Sequence, residues 1–175
     1  MKYKDALKKS MEILSQDEKT IFIGYNIKYG SQFYGSLKDI PSNKKIETPV
    51  AENLMTGIAM GLALGGFKPI LLFERHDFML LALDAIVNHL DKLEEMSEGE
   101  FKAPIIIRTI SATLKKPLDP GPQHTQDFSQ QFKEMVSFPV LEPKSSQEII
   151  ECYEKARTFS TPLMIIEKKE LYENE

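Results

Sequence analysis

A carboxylate stands where an apolar helix is expected to begin. Glu52 closes the string ETPVAE, Glu47 to Glu52, and NLMTGIAMGLALGG follows, with small residues at Gly57, Ala59, Gly61, Ala63 and Gly65. A helix apolar on nearly every side is central and lets neighbouring backbone approach. Its entrance is therefore buried, and a carboxyl group there can handle protons. The plainer role for such a residue is an exposed carboxylate facing the helix dipole, worth less than about 1 kcal/mol. No spacing of His, Cys, Asp or Glu suggests metal chelation, and no nucleophilic triad is apparent. The single cysteine, Cys152, lies in the helical string IIECYEKA without a histidine or second cysteine nearby and reads as a packed side chain.

The elements that must position Glu52 follow from periodicity. Ala6, Met11, Ile13 and Leu14 give a first helix its apolar face, and Thr20 to Gly24 is a buried strand of β-branched and aromatic residues. Tyr25 to Asn43, rich in Gly, Ser, Tyr and Asn, is a long loop of the kind that usually carries function. The helix after Ala51 stops at Lys68-Pro69, and Ile70 to Phe73 is a second strand. A third helix is expected from about Phe78 to Met96, and a third strand from Pro104 to Arg108. A second long loop, Ser111 to Asp127, carries Pro117, Pro120, Gly121, Pro122 and His124. Val136 to Leu141 reads as a fourth strand, Ser145 to Thr158 as a helix capped by Ser145 or Ser146, and Pro162 to Glu167 as a fifth strand.

Strands separated by helices imply an α/β fold with a mainly parallel sheet and helices on both faces. In such a fold the loops at the carboxyl ends of the strands open together. The loops after Ile23, Phe73 and Arg108 hold Asn26, His76, Asp77 and His124. Neither a GxGxxG after a strand nor a GxxxxGKS/T string occurs, so nucleotide binding by those devices is unsupported.

At 175 residues and 42% hydrophobic composition the chain is expected to be one domain, residues 1–175. Its 22 basic and 26 acidic residues are interspersed and give a net charge of −4, which argues against a nucleic-acid partner. The N-terminal MKYKDALKKSMEIL is amphipathic and lacks the apolar centre of a secretory signal, and no stretch approaches the about 20 apolar residues of a membrane span. A cytoplasmic protein without membrane contact is expected.

Six strings occur in one order: YKDALKKSMEIL, IFIGYNIKYGSQFYGSLKDI, ETPVAENLMTGIAMGLALGGFKPIL, FMLLALDAIVNHLDKLEEMSEG, PIIIRT and HTQ. From Lys4 to about Tyr172 this order resembles the pyrimidine-binding domain of thiamine diphosphate enzymes, in particular the beta subunit of 2-oxoacid dehydrogenases and the middle domain of transketolase-like proteins. The resemblance implies that Glu52 hydrogen-bonds the ring nitrogen of the cofactor's aminopyrimidine. Sharing a proton there favours the imino form of the exocyclic amine, which takes the proton from the thiazolium carbon. It also implies that Phe78 packs on the pyrimidine face, that the aliphatic Val50 borders it, and that His76 stands beside it. His124, opening HTQ, matches a histidine near the reacting centre, where an imidazole can handle protons near neutrality.

The chain departs from this pattern twice. GYN, with Tyr25 and Asn26, stands where beta subunits usually carry an acidic pair, and His76 stands where an aromatic is usual. The GDG string that precedes a downstream Asn in holding Mg²⁺ and the diphosphate does not occur. The resemblance thus implies a half site, without the diphosphate-binding domain or the transketolase C-terminal domain. An alpha-like, diphosphate-binding partner subunit would supply Mg²⁺ and the other wall, in a heterotetramer acting on a small-molecule carbonyl substrate. The main alternative is a regulatory or structural paralogue that has lost cofactor use. A third reading is a split decarboxylase of a small anionic oxoacid.

Overall fold

A computed structural model describes residues 1–112 and 121–172. Pro117 and Pro120 lie outside the described residues. The strands are β1 (Thr20–Gly24), β2 (Lys45–Glu47), β3 (Lys68–Phe73), β4 (Ile106–Ser111), β5 (Val140–Leu141) and β6 (Leu163–Lys168). They form one sheet in the order β2-β1-β3-β4-β6-β5, with every neighbouring pair parallel. The helices are α1 (Tyr3–Ser15), α2 (Glu52–Leu64), α3 (Leu93–Met96), α4 (Ser129–Met135) and α5 (Ser146–Ala156).

The strands read as continuous apolar runs because both faces of the sheet are covered. Phe22, Ile70, Leu72, Ile106, Leu163 and Ile165 point into one core with Leu7 and Met11 of α1 and Ile149 and Tyr153 of α5. Their neighbours Ile23, Leu71, Phe73, Ile107, Met164 and Ile166 point into the other, with Met55 and Ala59 of α2, Ile86 and Phe132. Residues of period two thus serve two cores from the same strands.

Several boundaries shift for identifiable reasons. Pro69 lies inside β3, because Lys68 N–H bonds the Lys19 carbonyl on the β1 side at 2.8 Å while the ladder to β4 begins only at Ile70. The missing proline donor is therefore not needed. The helix expected over Phe78–Met96 is instead a 3-10 turn (Phe78–Ala82), a π-helix (Asp84–Leu90) and α3. The wide turn, with Asp91 N–H on the Ile86 carbonyl at 2.9 Å, presents Asp91 Oδ1 to the N–H and hydroxyl of Ser137, both at 2.7 Å. The fourth expected strand shrinks to β5, since Val136 ends α4, and β2 emerges just past the long loop. Ser145 does cap α5, its hydroxyl accepting the Glu148 N–H at 3.2 Å.

Gly24, the last residue of β1, leaves no room for a side chain. A Cβ there would stand 2.7 Å from the Leu72 carbonyl oxygen and 3.2 Å from Ile27 Cγ2. Gly24→Ala is expected to destabilise the protein by about 1–3 kcal/mol through overpacking. The urea midpoint reads this directly, and an unchanged midpoint would show that the strands part without cost.

Candidate functional site

The chain leaving β1 turns sharply at Asn26, which has a positive φ of 55°. Glu47, at the end of β2, holds this turn: its carboxylate accepts the N–H groups of Asn26 (2.6 Å), Ile27 (3.0 Å) and Lys28 (2.6 Å). Further on, Gln32, Phe33 and Tyr34 adopt left-handed backbone with φ of 45°, 50° and 56° before Gly35. A run of such residues costs about 1–2 kcal/mol each, so something must hold it. Phe33 is fully buried, with the Arg108 guanidinium 4.4 Å from its ring centroid. Arg108 also donates to Ser36 Oγ at 2.7 Å and to both oxygens of Glu167, at 2.5 and 3.0 Å. The phenols of Tyr153 (2.8 Å) and Tyr172 donate to the same carboxylate.

Glu52 opens α2 at 3% exposure, and its Oε1 is buried without a hydrogen-bond partner among the described residues. Its N-cap, Ala51, has no side chain that could occupy the entrance. Beside Glu52 is a concavity of about 400 Å³ lined by Tyr25, Val50, Glu52, Glu74, Arg75, Phe78, Leu81 and His124. Four of the five residues expected at the site thus share one hollow. The Phe78 ring meets the His124 imidazole edge-on, with centroids 5.0 Å apart, and His124 Nδ1 is buried without a partner among the described residues. Val50 is 70% exposed at the rim. Burial, then the nearby carboxylates of Glu52 and Glu74, push the Tyr25 phenol far above its ordinary range, so it remains a hydrogen-bond donor.

His76 lies outside the hollow, fully buried against Phe128 and Phe132. Its Nε2 accepts the Phe128 N–H at 3.2 Å or, in the other tautomer, donates to the Gln126 carbonyl at 2.9 Å. Burial holds its basicity below that of a free imidazole. Asp77 accepts both the backbone N–H (3.0 Å) and the side-chain amide (3.3 Å) of Gln126. Together they tether the segment that carries His124 to the end of β3. Glu74 and Arg75 were not singled out in the sequence. Their position immediately after a buried strand, at its carboxyl end, was the available signal.

The fold agrees with what known proteins show. The chain matches the family described as transketolase, pyrimidine binding domain, over residues 1–175. It belongs to that family. Among curated relatives, the pyruvate dehydrogenase E1 component subunit beta of Saccharomyces cerevisiae is 30% identical over 98% of this chain and 48% of its own length. The corresponding subunit of Rickettsia conorii is 28% identical over 97% of this chain and 52% of its own. The chain therefore spans about half the length of these relatives. In solved structures the same pyrimidine-binding fold appears in a split-gene transketolase described as an inactive beta4 tetramer (TM-score 0.74, 17% identity, 97% of this chain and 52% of that one). A thiamine diphosphate-dependent 4-hydroxybenzoylformate decarboxylase of Rhodococcus jostii shares it as well (TM-score 0.68, 12% identity, 100% of this chain and 31% of that one).

Proposed function

We propose that this pyrimidine-binding domain forms one wall of a thiamine diphosphate site in a two-chain enzyme acting on carbonyl substrates, with Glu52 as the proton partner of the aminopyrimidine. The observation that carries this reading is the Glu52 carboxyl, buried at the mouth of α2 with Oε1 unpaired. An unsatisfied buried carboxyl is costly to the fold, and a ligand that completes its hydrogen bonds explains its retention. A flat heteroaromatic ring fits the remaining wall. Phe78 offers a ring face that makes no hydrogen-bond demand, and Val50 and Leu81 offer apolar edges.

The cofactor, when bound, supplies a nucleophilic carbon and an electron sink for cleaving or forming a bond next to a carbonyl. Glu52 would offer Oε1 as the proton partner of the ring nitrogen. Phe78 and Val50 fix the ring plane and exclude water from that proton. His124, tethered through Gln126 and Asp77, holds or moves a proton at the mouth of the hollow. His76 orients this segment through Phe128 and Gln126. Mg²⁺ and the diphosphate are assigned to an alpha-like partner subunit. The uncharged Tyr25 and Asn26 favour one second reading, a regulatory paralogue that keeps the fold without turnover.

The partner is expected on the outer face of α2. Leu54 is 51% and Leu64 49% exposed, and a Cβ added at Gly57 or Gly61 would meet nothing within 4 Å. An apolar helix face of this kind is ordinarily covered. Co-expression with a diphosphate-binding chain is expected to give a heterotetramer with thiamine diphosphate-dependent turnover of a 2-oxoacid or a ketol donor. Cofactor-independent behaviour with every such partner would favour the paralogue. Leu54→Glu with Leu64→Glu is expected to dissociate the assembly while the far-ultraviolet circular dichroism stays native. An assembly of unchanged mass in sedimentation would move the interface elsewhere.

A further inference from the structure

Arg75 is the one cation among the described residues that line the hollow; it bonds the Tyr34 phenol but forms no ion pair among the described residues. Its Nη1 donates to the Glu74 carbonyl at 2.8 Å, and its guanidinium stands 5.1 Å from the Tyr34 ring centroid. Its Nε is buried and makes no hydrogen bond among the described residues. Two carboxylates share the hollow, yet neither forms an ion pair with it among the described residues. The Glu74 oxygens are taken by Ser31 Oγ at 2.9 Å and Asn26 Nδ2 at 3.0 Å, and Glu52 Oε1 is itself unpaired. A guanidinium and a carboxyl group thus line one concavity, each with a buried polar atom that has no hydrogen-bond partner among the described residues. A buried donor left unmade is costly, and a guanidinium cannot escape by losing its proton.

The geometry points to Arg75 as a specificity-determining residue whose guanidinium takes an anionic group, carboxylate or phosphate, of the carbonyl substrate while Glu52 serves the aminopyrimidine. The planar donor fork of Arg matches either oxyanion. Tyr34 keeps the fork in place: its ring lies on a left-handed turn that the buried Arg108 fixes through Phe33 and Ser36. The assignment of the anion to a substrate rests on the proposed function, whereas the anion site itself does not.

The chain has three arginines, Arg75, Arg108 and Arg157, which provide their own controls. In the full chain with ¹⁵N-labelled arginine, inorganic phosphate and acetate are titrated while the three Nε–H resonances are followed. Arg75 is expected to shift saturably with both anions, fully buried Arg108 not at all, and exposed Arg157 only weakly and without saturation. A flat Arg75 response, or one that parallels Arg157, would overturn the anion site. This measurement needs neither cofactor nor partner.

The second arm uses the assembled enzyme and the ratio of kcat/KM for an acceptor aldehyde and its phosphate ester. Arg75→Gln is expected to lower that ratio about 10- to 100-fold, the usual value of a hydrogen bond to a charged group, and Arg75→Lys to restore part of it. A structural role would lower both rates together, and an unchanged ratio would overturn the specificity role. Glu52→Gln is run in parallel. If it leaves turnover intact, the proposed function fails while the anion site still stands or falls by its own titration.

Discussion

Glu52→Gln in the assembled enzyme is expected to lower kcat by about 10²- to 10⁴-fold, the range for removing a positioned proton-transfer group. Glutamine preserves the volume and one carbonyl acceptor, so the α2 entrance and the Phe78 wall stay in place. What it removes is a group able to hold and release a proton toward the ring nitrogen. The same change is expected to raise stability by about 1 kcal/mol, because it exchanges a buried carboxyl with an unpaired oxygen for a neutral amide. Lower turnover with an equal or higher urea midpoint is the signature of a residue kept for function. Lower turnover with a lower midpoint would instead mark Glu52 as part of the packing. Glu52→Asp, which withdraws the carboxyl by one methylene, is expected to fall between wild type and Gln.

Arg108→Met is expected to cost about 3–5 kcal/mol, the loss seen when one partner of a buried ion pair is removed. Both Arg108 and Glu167 are fully buried, and without the guanidinium the carboxylate keeps, among the described residues, the two phenol donors. Burial, and then the adjacent Glu167 carboxylate, keep both phenols protonated and donating. The double variant Arg108→Met, Glu167→Gln removes the stranded charge and is expected to recover most of the loss. If the double variant is as unstable as the single, the cost lies in packing rather than in charge. Because Arg108 also holds Ser36 and Phe33, the single variant should loosen the left-handed turn at 32–34. Faster amide hydrogen exchange at Tyr34 and Gly35 would report this.

Strands β1, β3, β4 and β6 were legible because each is an apolar run long enough to cross a sheet covered on both faces. Strand β2 was not, since three residues reading Lys-Ile-Glu carry no period and pair on one side only. The π-helical Asp84–Leu90 keeps the apolar spacing of an α-helix in sequence, so only the Asp91–Ser137 contact, made across 46 residues, distinguishes it. The left-handed turn through Gln32, Phe33 and Tyr34 runs against local propensity, and Arg108, remote in sequence, overrides that propensity. Glu52 was legible from its place at the helix entrance and His124 from its loop, Val50 and Phe78 came from the family resemblance, and the four share one hollow. His76 came from the same resemblance, but its ring turns into the core between Phe128 and Phe132. Arg75 and Glu74 carry no motif, and their roles depend on where side chains leaving a strand end happen to point.

The central claim, that Glu52 activates a pyrimidine held in this hollow, is tested most directly by proton exchange at the thiazolium carbon of thiamine diphosphate bound to the assembled enzyme. In deuterium oxide, quenched samples followed by proton NMR give the exchange rate without any substrate. The wild-type assembly is expected to accelerate exchange over free cofactor, and Glu52→Gln to lose about 10²-fold or more of that rate while still binding the cofactor. Exchange that is equally fast in the Glu52→Gln assembly would contradict the account.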